Sequence, residues 1–553
     1  MSFLPTPYQH TYEVAQGYQK SVVYFSMEFA IDQALKTYSG GLGFLAGSHM
    51  RSACELGQNM LGIGILWTYG YYDQARDENR EMAVAHRQKM YHFLKDTGLV
   101  YSIQVHGAEV WVKALYLPGE VFGTAPMFFL TTDIAENDHL SRTISHSLYA
   151  SDKLTRISQN ILLGVGGAKL LEVLNVVPEV WHLNEAHGLA ACFYEAKKWG
   201  LDWVGERFVF TTHTPEEAGN EKSSFQTLRQ FGYFSGLSDD VLGRVTDLED
   251  DTFNHSLVAL RVCRIANGVS KLHGEVARRM WSGYEGLCPI IHITNAQNKK
   301  FWEDRALAVC AEEGDIGGLG RRKRQLKEKL VKEVANQTGR IFDPDILTIV
   351  WARRFAGYKR PDLLLRDMAK FEAMLANSQY PVQLVWAGKP YPEDYAAVDT
   401  FNRLVRLSRS HSNVAVLVGY ELALSRLLKG GADIWLNTPV VTREASGTSG
   451  MTAAMNGAIN LSTQDGWICE FARGGENAFL IPTADLGLRD TERDDRDCEG
   501  FYELMQHVVL PSYYDAPESW MRMVVQSMED VTPEFGSNRM AEEYYQKLYN
   551  VSK

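Results

Sequence analysis

Short apolar runs recur along the chain, each followed by a glycine or polar turn and then by a stretch with amphipathic, helix-like spacing. The clearest are SVVYFSME (21–28), NMLGIGILW (59–67), EVWHLNE (179–185) and RFVFTTHT (207–214), then ILTIVW (346–351), VQLVWAG (382–388), NVAVLVG (413–419) and ADIWLNTP (432–439). Strands that alternate with helices predict parallel sheets covered on both faces. In such sheets ligands collect at the carboxyl ends of the strands. The informative polar clusters sit just after these runs, in two sets, 24–300 and 350–470. Between the sets, GDIGGLGRRKRQLKEKLVKEV (314–334) reads as glycines and then a charged helix, with Leu326, Leu330 and Val334 on one stripe and the rest a solvated face. The acidic run 489–500 reads as a surface loop, and SNRMAEEYYQKLYN as a capped helix with Met540, Tyr544 and Leu548 on one stripe.

The fold class expected is α/β, with two doubly wound Rossmann-like domains facing a central cleft. The expected boundaries are 1–300, 301–530 and a C-terminal helix, 531–553, that packs back across the domains. Length agrees, since 553 residues exceed the roughly 250–300 that one core supports. A composition 45% hydrophobic and 22% charged is that of a soluble globular protein. The net charge of -12 argues against nucleic acid or an anionic membrane as the main partner, though not against an anionic substrate held by a few local cations. Seven scattered cysteines with no C-x-x-C pair suit a reducing compartment. The N-terminus lacks the pattern of a signal peptide, and no apolar run approaches 18 residues, so a cytoplasmic enzyme is expected.

Three kinds of cluster carry candidate chemistry. YSGGLGFLAGSHM (38–50) places Gly40 and Gly41 at a turn entering a helix, where backbone N–H groups can face an anion. WARRFAGYKR (351–360) brings Arg353, Arg354, Lys359 and Arg360 to a strand's carboxyl end. Basic groups are unfavourable at a helix start, so phosphoryl binding explains them better than a solvated turn. HLNEAH (182–187), THTPEEAGNE (212–221) and TNAQNKKFW (294–302) mix His, Asn and carboxylates. Their spacing is poor for a metal. Neutral hydrogen-bonding groups such as Asn184, His187, His213 and Asn295 suit a polyhydroxyl ligand better.

Taken in order, YFSMEFAIDQALKTYSGGLGFLAGSHM, HLNEAH, FTTHTPEEAG, VSKLHGEVAR, WARRFAGYKR and EASGTSGMTAAMNG resemble the glycogen and α-glucan phosphorylases, in their short bacterial form. The resemblance implies a GT-B fold, pyridoxal phosphate, and reversible transfer of glucose from an α-1,4-glucan or maltodextrin end to inorganic phosphate, giving glucose 1-phosphate. It implies a homodimer by analogy. By motif, Gly40 and Gly41 match the glycine loop near the cofactor phosphate and sugar, and His213 and Asn295 match sugar contacts. Arg354 and Lys359 match the substrate-phosphate clamp, and Arg353 stands where the family's cofactor-phosphate cation stands. Tyr420 matches an aromatic near the cofactor, while Thr448 and Ser449 match donors to its phosphate. Glu444, with the backbone of Ser446 and Gly447, matches the group holding sugar hydroxyls.

One position departs from the pattern. Eight residues beyond that glutamate the family carries the lysine that forms an imine with pyridoxal, and here Thr452 stands in its place, with Met451, Ala453 and Ala454 around it. Threonine forms no imine, so any pyridoxal phosphate is expected to be held noncovalently at this cofactor position. Two other readings stay open: a nucleotide-sugar-dependent GT-B glucosyltransferase, and a noncatalytic homologue that binds glucan or a phosphosugar. Two smaller departures are Glu421, where longer phosphorylases have arginine, and Ala296, where a glycine is usual.

Overall fold

A computed structural model describes residues 2–247 and 251–551, and the chain divides into two compact units. The first comprises residues 1–72, 86–295 and 537–553. Its sheet uses β1 (Val22–Phe25), β2 (Met60–Ile65), β3 (Lys95–Val105), β4 (Ala108–Leu117), β5 (Met127–Thr131), β6 (Val180–Asn184), β7 (Phe208–Thr211), β8 (Ile265–Gly268) and β9 (Ile290–His292). The strand order is β9-β8-β7-β6-β1-β2-β5-β4-β3. All neighbours from β9 to β5 pair in parallel, and β4 and β3 extend one edge antiparallel. Every residue of β1, β2, β6 and β7 is buried, as expected of parallel strands covered on both faces.

Helix α1 (Gly41–Leu56) follows β1 and packs closely on the segment that joins them. A side chain at Gly47 would overlap the Ala30 carbonyl, and one at Gly43 the Tyr38 Cβ, so these two glycines serve packing.

The second unit comprises residues 73–85 and 296–536. Its sheet is wholly parallel, built from β10 (Leu347–Ala352), β11 (Val382–Ala387), β12 (Val414–Leu417), β13 (Ile434–Asn437), β14 (Ile459–Ser462) and β15 (Ala478–Leu480) in the order β12-β11-β10-β13-β14-β15. The hairpin 73–85 belongs here because the Gln74 amide donates to the Gly388 carbonyl at 2.9 Å and accepts from Gly419 N at 2.9 Å.

Two expectations are corrected. Residues 489–500 are no loop: α4 (Asp490–Leu504) runs through them. Arg489 and Glu492 form a capping box, Arg360 pairs with Asp494 and Asp497, and Arg366 pairs with Asp495, so the acidic charge is neutralised while Cys498, Phe501 and Tyr502 turn inward. Nor is the basic face of α2 (Ile316–Thr338) simply solvated. Lys323 is buried and donates to the carbonyls of Gly430, Ala432 and Asn456 at 2.9, 2.8 and 3.0 Å, while Lys327 pairs with Asp433. These carbonyls replace water around the ammonium.

The C-terminal stripe forms as expected in α5 (Ser537–Tyr544) and the turn that continues it, with Met540, Tyr544 and Leu548 buried. It packs on the first unit, where Gln58 donates to Ala541 O at 3.0 Å and Tyr549 OH lies 2.7 Å from His182 Nδ1. Among the described residues, no helix is long and apolar enough to cross a membrane.

Candidate functional site: an anion cage and a sugar-type cluster

In the second unit the site forms at the carboxyl ends of β10, β13 and β14. Strand β10 ends at Ala352, which delivers Arg353 and Arg354 to the sheet edge. The buried Arg353 guanidinium reaches Asn437 Oδ1, Ser449 Oγ at 3.3 Å and Glu444 Oε2 at 3.3 Å. Lys359 Nζ pairs with the same Glu444 oxygen at 2.5 Å. Burial alone would raise the Glu444 carboxyl, but Lys359 and Arg353, with Arg354 adding its charge, hold it below its usual range. Three cations thus surround one ionised carboxylate. Arg354 itself is exposed, and Arg353 Nε is buried without a partner among the described residues.

Arg360, the fourth cation of the motif, is turned away. It adopts φ +47° and donates to the Thr438 and Pro439 carbonyls as well as to the carboxylates of α4.

The loop bearing Glu444 is held under strain. Thr442 has φ +80°, costly for a β-branched residue, and Gly447 has φ +87°. Asp465 supports the loop from beneath: its two oxygens accept from Glu444 N at 2.7 Å and Gly466 N at 2.9 Å. Burial pushes the Asp465 carboxyl up to about 7, against these N–H groups, and the Glu444 charge adds to the rise.

Ser446 Oγ is buried and unpartnered among the described residues. Thr448 and Ser449 open α3 (Ser449–Ala454), whose first-turn N–H groups favour an anion. Tyr420 OH donates to Ala352 O and accepts from Ser425 Oγ, both at 3.3 Å. Next to it, Lys389 pairs with Glu421 at 2.9 Å. Thr452 is buried, and its hydroxyl donates to the Ser449 carbonyl at 3.0 Å, so its one polar atom is turned back onto its own helix.

In the first unit, Asn184 ends β6 and its Oδ1 lies 2.7 Å from His213 Nε2, just past β7. Burial drives the His213 imidazole down to about 3, so the ring is neutral at physiological pH. His187 is lowered to about 4 for the same reason. Its Nδ1, and Asn295 Oδ1 past β9, are buried polar atoms without a partner among the described residues. Such atoms mark where a ligand hydroxyl would complete the bonding.

Glu185, between Asn184 and His187, adopts φ +65° and ψ 169°, a region that is essentially reserved for glycine. Its carboxylate accepts from His213 N and from Thr214 Oγ1, the latter at 3.3 Å, and burial pushes it up to about 7.

The glycine turn is organised differently from expectation. The buried Glu28 takes the N–H of Ser39 at 2.7 Å, the N–H of Gly40 at 3.1 Å, the Ser39 hydroxyl at 2.9 Å and the Tyr149 hydroxyl at 2.5 Å. The protein's own carboxylate therefore occupies the first donors of that turn. Side chains added at Gly40 or Gly41 would meet nothing within 4 Å, so open space remains beside them.

Glu28, Glu185, Asn437 and Asp465 were not singled out from the sequence. Glu28, Glu185 and Asn437 stand inside quoted stretches but carry no local sign of their partners: Tyr149 lies 121 residues from Glu28 and Arg353 84 residues from Asn437, while Asp465 supports Glu444 from 21 residues away.

A family model for carbohydrate phosphorylases matches residues 308–507. Maltodextrin phosphorylase of Thermococcus litoralis is 32% identical over 597 residues, covering 96% of this chain and 71% of that protein. Glycogen phosphorylase of Aquifex aeolicus is 30% identical over 610 residues, covering 96% of this chain and 86% of that enzyme. An uncharacterised protein of Methanocaldococcus jannaschii is 46% identical over 531 residues, covering 96% of this chain and all of its own length. The chain belongs to the carbohydrate phosphorylase family.

Proposed function

We propose that the protein is a retaining glycosyltransferase of the α-glucan phosphorylase type, with GT-B architecture, that moves the terminal glucose of an α-1,4-glucan to inorganic phosphate. The observation that carries this reading is the charge of the second unit's cage. Three cations face one carboxylate, and a buried Arg353 nitrogen lacks a partner among the described residues. An unpaired buried donor within surplus positive charge calls for an anion. Family membership supports phosphate and glucan as the reacting pair.

In this reading Arg354 and Lys359 bind substrate phosphate. In the first unit His213, Asn184, His187 and Asn295 offer contacts to glucose hydroxyls; in the second, Glu444 and the backbone of Ser446 and Gly447 offer such contacts. A neutral imidazole can both donate to and accept from sugar hydroxyls. The bound phosphate gives its proton to the glycosidic oxygen and attacks the same face of the sugar, so that α-glucose 1-phosphate leaves with retained configuration. Positioning and preorganised positive charge supply most of the rate.

The anionic half of pyridoxal phosphate fits this site. Arg353 Nε, Ser449 Oγ and Thr448 would hold its phosphate, and Tyr420 would stand close by. When bound, the group supplies a second phosphate beside the substrate's, its aldehyde serving as an anchor. Thr452 offers no amine for that anchor.

The test is direct. Purified protein given maltoheptaose and inorganic phosphate, with and without added pyridoxal phosphate, should release the α-anomer of glucose 1-phosphate in a phosphate-dependent reaction. Absence of that product under both conditions would contradict the assignment.

A further inference from the structure

We propose that Ser26 is a positioning residue of the first unit's sugar-type cluster: acting through Asn184, it fixes the imidazole proton of His213 on Nε2 and leaves Nδ1 as an acceptor for a ligand hydroxyl. The inference rests on the phosphorylase-type reading above and assigns the polarity of one of its contacts.

Three neighbouring strands bring these residues together. β1, β6 and β7 pair in parallel, with Phe25 opposite Leu183 and Asn184 opposite Thr211. Ser26, Asn184 and His213 therefore meet at the carboxyl end of the sheet, the first two fully buried.

Counting protons fixes their roles. A serine hydroxyl has one proton and two lone pairs. Ser26 Oγ gives its proton to the Glu28 carbonyl at 2.8 Å, and it accepts from Glu28 N at 3.3 Å and from Asn184 Nδ2 at 3.1 Å. All three capacities are used. Turned over, the Asn184 amide would set its oxygen against a Ser26 lone pair, a contact with no proton in it. The amide is thus held with Oδ1 facing His213, 2.7 Å from Nε2. Two acceptors at that distance repel, so Nε2 carries the proton.

The ring has only one proton to place. Burial, with His273 and His187 nearby, drives the His213 imidazole down to about 3, so it is neutral at physiological pH. A proton on Nε2 then leaves Nδ1 bare, and Nδ1 has no partner among the described residues. The backbone around the ring is held on both sides. Glu185 accepts from His213 N. His273, whose Nδ1 accepts from Val269 N at 3.1 Å, donates from Nε2 to the Thr214 carbonyl at 3.2 Å.

Of the two roles open to a neutral imidazole, only acceptance is left for a ligand. A neutral acceptor binds a group that brings its own proton, as a sugar hydroxyl does, and offers nothing to a phosphate dianion. Asn295 Oδ1, a buried acceptor without a partner among the described residues, has the same polarity.

The experiment observes the proton itself. The full chain is labelled with histidine carrying nitrogen-15 in the ring, and the His213 signals, identified by their loss in His213→Gln, are recorded at neutral pH with and without maltoheptaose. The expected result is a protonated Nε2 and a bare Nδ1 in wild type, and a mixture of the two tautomers in Ser26→Ala. Adding Asn184→Asp to that variant supplies a carboxylate that can only accept, and should return a proton to Nε2. Ser26→Ala should also bind maltoheptaose roughly fivefold more weakly, the effect of one hydrogen bond. A purely structural Ser26 would shift the melting temperature and leave the tautomer as it was. A proton on Nδ1 in wild type, or an unchanged ring in Ser26→Ala, would overturn the inference, and persisting phosphorolysis would then leave the proposed function standing. A chain that neither binds maltoheptaose nor carries out phosphorolysis would remove both.

Discussion

The molecule holds two glycine-bearing turns next to carboxylates, and they have opposite outcomes. At 38–41 the Glu28 carboxylate accepts four donors, so the nearest N–H groups are spent on the fold itself. At 444–449 the Glu444 carboxylate is outnumbered by cations, and buried donors around it stay unpaired among the described residues. Both turns look like anion sites in sequence. What separates them is the balance of acceptors against donors, which only the folded chain sets.

This contrast can be broken in several ways. The largest effect belongs to Arg354→Ala. Phosphate-dependent kcat/KM should fall roughly 10²–10³-fold, the range for one preorganised charge, and the melting temperature should hardly move because Arg354 is exposed. A drop in stability instead would make Arg354 a structural residue.

Glu28→Ala should do the reverse. It leaves two N–H groups and two hydroxyls without their acceptor, which should destabilise the protein by about 3 kcal/mol or more in urea unfolding. Phosphate affinity should stay as it was.

Next in size is a pH effect at Asp465. Its folded-state carboxyl titrates near 7, above the unfolded value of about 3.9. The folded state therefore binds more protons than the unfolded state between these values, and stability falls as pH rises through that window. Asp465→Asn should remove this slope, so that wild type loses about 2 kcal/mol relative to the variant between pH 5 and pH 7. Equal slopes would place the titration elsewhere.

Gly447→Ala should cost about 1–2 kcal/mol, because φ +87° suits glycine and the added Cβ would meet Glu444 and Trp467 only at ordinary contact distance. The smallest effect belongs to Thr452→Ala. It loses one hydroxyl bond to Ser449 O, worth about 1 kcal/mol, and should leave cofactor affinity unchanged.

Much of this was legible in the chain. The eight quoted apolar runs became strands, because burial on both faces leaves a continuous apolar signature. The cations of WARRFAGYKR also reached a strand end, as their position implied. Arg360 shows the limit of that reading. It is as basic as its neighbours, yet its partners lie 134 and 137 residues away on α4, and without them neither its diversion nor the helix itself could be foreseen. The same holds for Asn437 and Glu444, which stand 84 and 91 residues from Arg353. Lys323 looked like surface charge because sequence carries no sign of three carbonyls converging on it. Local pattern sets which elements form, but the pairing of distant charges decides which ones remain free to bind a ligand.

The central claim is that the Arg353–Arg354–Lys359 cage takes up phosphate. Calorimetric titration of inorganic phosphate into wild type and Arg354→Ala tests it most directly. Saturable binding of one phosphate per chain, weakened at least about tenfold by the substitution, is the result predicted. Identical isotherms for the two proteins, or no binding to either, would contradict it.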